Sequence, residues 1–202
     1  MAVRRVVSEE GWAAEVACRM AVASMQMHLM GAERSSVHRL PHSFGFDLEE
    51  TAIAGGLLRI ISVTEEFTSS TLIREIERRI PIANNQVARI WDATSNDLAM
   101  SWQRVCTGWK DLLDINVEQS ATFKQLHPFI EARNAVTHGL GDLTRKQRSK
   151  QGGAAVKAKL ASAGFQLVGN RIMLSQADVA KAATVAVGFI KWLDFSVQDL
   201  AI

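Results

Sequence analysis

Residues 126–141 read Leu126-His127-Pro128-Phe129-Ile130-Glu131-Ala132-Arg133-Asn134-Ala135-Val136-Thr137-His138-Gly139-Leu140-Gly141. At about 100° per residue, Leu126, Phe129, Ile130, Val136 and Leu140 fall on one face, which predicts an amphipathic helix closed by Gly139 and Gly141. Arg133 falls in the middle of that apolar face. An ionised guanidinium is costly to bury alone, so it needs a carboxylate partner, a polar cleft or an anion. Glu65, Glu66, Asp92 and Asp97 are the candidate partners. On the flank, His127, Glu131, Asn134 and His138 follow one polar stripe.

Asn134 and His138 are i,i+4 neighbours, so the amide can orient the imidazole. His138 stands at the carboxyl end of the helix, where the macrodipole favours a positive charge, which suits a general acid. An Arg to hold a phosphate and a His to move a proton are two of the parts needed to cleave a phosphodiester without a metal.

The surroundings read as helix too. Of 202 residues 48% are apolar, enough for a substantial core in one domain. Three Pro and no Tyr, among abundant Ala, Leu, Met, Glu, Gln, Lys and Arg, make the expected class all-α. Ser8 is placed to cap a first helix ending near Gly31, whose Met20, Met25, Met27 and Met30 are expected in the core. Residues 34–46, with Ser35, Ser36, Pro41, Ser43 and Gly45, predict a loop; His38 and His42 flank Pro41 and lack further metal ligands.

Asp47 with Glu50 predicts the cap of a long helix through Ile53, Leu57, Ile60, Ile61 and Phe67. Leu72, Ile73, Ile76 and Ile80 fall on another face, so a bend or restart is expected near residues 68–71, and Pro81 stops the helix. Gly55-Gly56 reads as a site of close helix packing. Asn84 or Asn85 begins a helix carrying Val87, Ile90, Trp91, Leu98, Trp102 and Val105, with a kink expected at Ser95-Asn96. A short apolar turn or helix from Trp109 to Ile115 comes next, then Ser120 or Thr122 starts the helix of residues 126–139.

Beyond it, Arg145-Lys146-Gln147-Arg148-Ser149-Lys150 is a basic segment, succeeded by an alanine-rich stretch that reads as helix or mobile loop. Arg145, Lys146, Arg148 and Lys150 are candidate phosphate-gripping residues. Residues 165–174 alternate around Gly169-Asn170, predicting a small β-hairpin. Ser175 and Asp178 cap a final helix with an apolar stripe from Val179 to Leu193. Trp91, Trp102 and Trp192 lie on apolar faces and read as core.

A formal net charge of +2 is too mild to mark a nucleic-acid binder by itself. Cys18 and Cys106 lack metal or redox spacing, which fits a reducing compartment. Glu9 and Glu10 interrupt any export-signal stretch after Arg4-Arg5, and no run of about 18 apolar residues occurs. A cytoplasmic location without membrane spans is the expectation.

The run Glu131-Ala132-Arg133-Asn134-Ala135-Val136-Thr137-His138-Gly139 resembles the R-x4-6-H motif of the HEPN superfamily, in which a polar residue commonly follows the Arg. The long early helices and the capped last helix resemble that family's bundle, so the likeness covers residues 47–202 as a HEPN-like helical domain. Residues 1–46, a helix and loop packing on or extending the bundle, are not explained by it.

The resemblance implies a metal-independent endoribonuclease, a toxin or phage-defence effector, that leaves 2′,3′-cyclic phosphate and 5′-OH ends. Arg133 would steady the phosphorus centre, His138 would act as acid or base, and Asn134 would position them, with Glu131, His127 and Thr137 in support. It also implies RNA as partner, a homodimer that brings two motifs into one cleft, and an antitoxin or defence-system partner. No metal or cofactor is expected. The alternative is a non-catalytic HEPN domain that binds a nucleotide or protein, with Arg133 in a structural ion pair.

Overall fold

The computed structural model describes residues 6–34, 48–81, 83–149 and 152–200. Expectations for residues 1–5, for the loop with His38 and His42, for Asp47 and for Lys150 lie outside the described residues. The described chain forms α1 (Glu9–Arg34), α2 (Leu48–Glu77), α3 (Asn85–Leu98), α4 (Trp102–Leu113), a 3-10 turn (Val117–Gln119), α5 (Ala121–Gly139), α6 (Gly153–Ser162), β1 (Gln166–Val168), β2 (Arg171–Met173) and α7 (Gln176–Asp199). It is an all-α fold with one small hairpin.

Helix α2 is the hub, packing on α1, α4, α5 and α7, while α7 also packs on α1 and α5. Ser8 begins α1 by accepting the Gly11 amide at 3.1 Å and ties that end to α7 through Asp194, whose carboxylate accepts the Ser8 amide at 2.8 Å. The helix runs past Gly31 to Arg34. Of its methionines only Met25 is buried; Met20, Met27 and Met30 lie on the exposed side together with Trp12. The expectation of core packing is corrected for those three, because α1 covers α2 and α7 with one face only.

The two apolar faces of α2 do not require a break. The helix runs continuously through residues 68–71, where hydroxyls turn back onto carbonyls one turn earlier: Thr64 on Ile60, Thr68 on Thr64, Ser69 on Glu65 and Ser70 on Glu66. Those bonds let small polar side chains sit in the helix, and neighbours on several sides bury both apolar faces. Gly56 is a true close approach, since a Cβ there would lie 3.0 Å from Val179 and 3.4 Å from Met25; Gly55 meets nothing.

Asn84, not Asn85, caps α3 through the amides of Gln86 and Val87. The expected kink at Ser95-Asn96 is instead a full break further on, where Ser101 caps α4. Consequently Trp102, Val105 and Trp109 share one helix, ended by Asp114 in the left-handed conformation. Ile90 is exposed rather than part of the core. Trp109 is fully buried and its indole N–H reaches the Thr68 carbonyl at 3.2 Å, joining α4 to α2. Burying a large side chain of this kind contributes about 1.5–3 kcal/mol.

The hairpin pairs Gln166 with Met173, Leu167 with Ile172 and Val168 with Arg171, turning at Gly169 with positive φ. Its turn and second strand bind the chain after α5: the Leu143 amide donates to the Asn170 carbonyl and the Ile172 amide to the Gly141 carbonyl. Ser175 and Asp178 form the expected capping box at the start of α7. No described helix is long and apolar enough to cross a membrane.

Candidate active site

Helix α5 starts at Ser120, whose hydroxyl accepts the Phe123 amide at 3.1 Å. Leu126, Phe129, Ile130, Ala132 and Ala135 are buried, seating it against α2 and α7. Pro128 lies inside the helix and withdraws the amide that would have bonded the Lys124 carbonyl. The helix ends with Leu140 at φ 52° and Gly141 at φ 94°, both amides reaching back to Ala135. Leu140, expected on the apolar face, is 87% exposed because the chain leaves the helix at that residue.

Arg133 faces α2. Its Nη2 lies 3.5 Å from a Glu65 carboxylate oxygen, so Glu65 is its partner among the four candidates. Nη1 donates to the Asn134 side-chain oxygen at 3.2 Å, and Nε is buried with no acceptor among the described residues. Burial pushes the Glu65 carboxyl above the usual carboxylate range; Arg133 opposes that shift and Glu66 adds to it. The guanidinium is thus half-buried beside a carboxylate that is itself uncomfortable as an anion.

His138 is exposed in the last turn, and Thr137 beside it is exposed as well. Among the described residues no hydrogen bond joins Asn134 to His138; the amide serves the guanidinium instead. Five residues along an α-helix turn about 140° and rise about 7.5 Å, so Arg133 and His138 leave α5 in different directions.

Six residues before Arg133, at His127, begins a second network. The Lys159 ammonium on α6 lies 3.0 Å from His127 Nδ1, and an ammonium can only donate, so Nδ1 is the acceptor. His127 Nε2 faces Glu131 at 4.0 Å. Burial first, then Lys159, hold the imidazole below its ordinary range, while Glu131 and Glu118 pull the other way. Glu131 is fixed by Gln147, whose amide nitrogen donates to its carboxylate at 2.6 Å and to its carbonyl at 2.9 Å.

Gln147 is a residue that sequence reasoning passed over. It is buried, and its side-chain oxygen also takes the Thr144 amide at 2.9 Å, so it pins the basic segment to α5. Arg145, Lys146 and Arg148 then project outward, exposed. The signal was faint: Gln147 is one of two uncharged residues, with Ser149, within a run of cations. The structure therefore gathers Arg133, Asn134 and Glu65 at one point, His127, Glu131, Gln147 and Lys159 at another, and leaves His138 and Thr137 open at the end of the helix.

Among the described residues no group of three or more His, Cys, Asp or Glu is arranged to hold a metal ion. Cys18 and Cys106 are buried free thiols, pushed up by burial to about 11 and about 12 respectively, which makes them poor ligands and nucleophiles. The chain matches no protein-family model, no curated protein and no solved structure.

Proposed function

We propose that this chain is an endoribonuclease of HEPN type, acting by transesterification within RNA. The observation that carries the reading is the Arg133–Glu65–Asn134 cluster half-buried on the helix whose end exposes His138. In the step envisaged, a ribose 2′-OH loses its proton to a base and bonds to the adjacent phosphorus. The P–O5′ bond breaks, and O5′ takes a proton from an acid. The products are a 2′,3′-cyclic phosphate and a 5′-OH, with no net oxidation and no water consumed.

Arg133 holds the phosphate oxygens as negative charge builds, and His138 supplies proton transfer. Because the two side chains diverge around α5, a two-fold dimer serves this chemistry better than one chain, placing one copy's His138 near the other's Arg133. Exposed Arg145, Lys146 and Arg148 add non-specific attraction for the strand. A role as a toxin or defence effector in the cytoplasm, with an antitoxin as partner, belongs to the same proposal. Nucleotide transfer to a Tyr two residues after the motif His is not open to such an antitoxin, since Leu140 stands there and the chain has no Tyr.

The ion pair to Glu65 favours a second reading, in which the domain is a non-catalytic binding module and Arg133 is structural. Incubating the purified protein with total RNA in excess EDTA, and analysing the product ends, separates the two. Cleavage with cyclic phosphate ends, lost in His138→Ala, supports the ribonuclease. Intact RNA, or cleavage that needs added Mg²⁺ or Mn²⁺, overturns it.

A further inference from the structure

A cleft of about 300 Å³ opens beside the start of α5, lined by Glu118, Phe123, Lys124, His127 and Lys159. Three nitrogen-bearing side chains from two helices meet there, and the partners of both lysines are neutral. Lys159 donates to the His127 ring, and Lys124 to the Gln119 side-chain oxygen at 3.2 Å. Among the described residues neither ammonium has a carboxylate within ion-pair distance, although Glu118 shares the lining. Two unneutralised ammoniums and one carboxylate around a cleft leave a net positive site.

We propose that this cleft is a phosphate-binding subsite that takes a phosphate of the RNA strand other than the one cleaved. His127 precedes Arg133 by six residues, about 9 Å along the helix axis and about 120° around it, and the two have separate partners, Lys159 and Glu65, so the cleft and the Arg133 cluster are separate places. The basic turn is tethered to the same helix, because Gln147 fastens that turn to Glu131, the residue that His127 faces. The strand as the source rests on the ribonuclease reading. The anion chemistry of the cleft does not.

The site carries a built-in proton coupling. With the cleft empty, Lys159 occupies the lone pair of Nδ1 and the ring stays neutral. A phosphate that draws Lys159 to itself frees Nδ1, which then takes a proton and donates to the phosphate. The new imidazolium lies between that anion and the Glu131 carboxylate, with Glu118 from the 3-10 turn also favouring the charge. Phosphate binding should therefore bring one proton onto His127 and strengthen as the pH falls through the bound-state value.

The test is an NMR titration of the histidine rings in the full chain carrying His138→Ala, with His127 assigned by its loss in His127→Gln. Inorganic phosphate and a short RNA oligonucleotide are added in turn, with polyglutamate as a control polyanion. The expected result is a shift of the His127 signals and an upward move of its titration with both phosphate probes. Affinity should fall at least tenfold in Lys159→Met and largely return in Lys159→Arg, with helical circular dichroism unchanged.

No response from His127, or an equal response in Lys159→Met, overturns the site. A response to inorganic phosphate without one to RNA, or an equal response to polyglutamate, overturns the strand as its ligand. A full response in a protein whose wild type leaves RNA intact supports the anion site while rejecting the ribonuclease reading, so the two failures are distinguishable.

Discussion

Two histidines ride on α5 eleven residues apart, and their surroundings differ in almost every respect. His127 is half-buried against Phe123, accepts from Lys159 and faces a carboxylate that Gln147 clamps. His138 is exposed at the helix end, two residues before the left-handed Leu140. Sequence spacing placed both on one polar stripe, with His138 as the acid or base and His127 in support. Packing distinguishes them: the first is held neutral and in one tautomer, whereas the second is exposed to solvent.

The largest expected effect tests the open end. His138→Ala should lower RNA cleavage by about 10²–10⁴-fold while leaving the urea midpoint unchanged, because the residue is exposed and has no side-chain hydrogen bond or ion pair among the described residues. Arg133→Ala should remove cleavage as well and also destabilise the fold by about 1–3 kcal/mol, since it strands a half-buried Glu65. Equal stability of Arg133→Ala and wild type in urea would remove the ion pair from the account of this site.

At the closed end, Gln147→Ala should destabilise by about 1–3 kcal/mol, because it leaves the Glu131 carboxylate and the Thr144 amide without their partner. Denaturant unfolding measures this. Its failure to differ from wild type would mean that the basic turn is not anchored through Gln147.

The pH dependence is smaller. The folded value of His127 is depressed below the ordinary one of about 6.5. The folded state therefore binds fewer protons than the unfolded chain as the pH falls through that range. The contribution of His127 is full above about pH 6.5 and declines as acidity increases towards the folded value. Melting temperatures of wild type and His127→Gln at pH 7.5 and pH 5.5 should converge on acidification; a constant difference would contradict a neutral, lysine-bound ring.

Smallest is the effect at the carboxyl end of α5, one residue past the helix. Leu140 is exposed at φ 52°, a conformation that disfavours side chains, so Leu140→Gly should raise stability by about 0.5–1 kcal/mol. A thermal melt suffices. A lower melting temperature would show that Leu140 packs on something the described chain lacks, such as a second copy.

The helical character of the chain was legible in its residues. Ser8, Ser120 and the Ser175–Asp178 box mark helix starts by side chains that bind their own first-turn amides, a local interaction readable from four or five letters. The hairpin around Gly169-Asn170 was legible for the same reason. So was the need of Arg133 for a partner, which arises from the cost of a charge on an apolar face.

What local pattern could not settle was which of several equivalent surfaces meets a neighbour. Met20, Met25, Met27 and Met30 look alike along the chain, yet only Met25 lies under α2, where Gly56 gives it room. Four carboxylates could have answered Arg133, and Glu65 does so because α2 crosses α5 at that level. Both apolar faces of α2 are buried without a break because that helix lies at the centre of the bundle. Periodicity specifies which side of a helix is apolar; how many neighbours cover it, and which polar group stands opposite, are set when segments distant in the chain pack together.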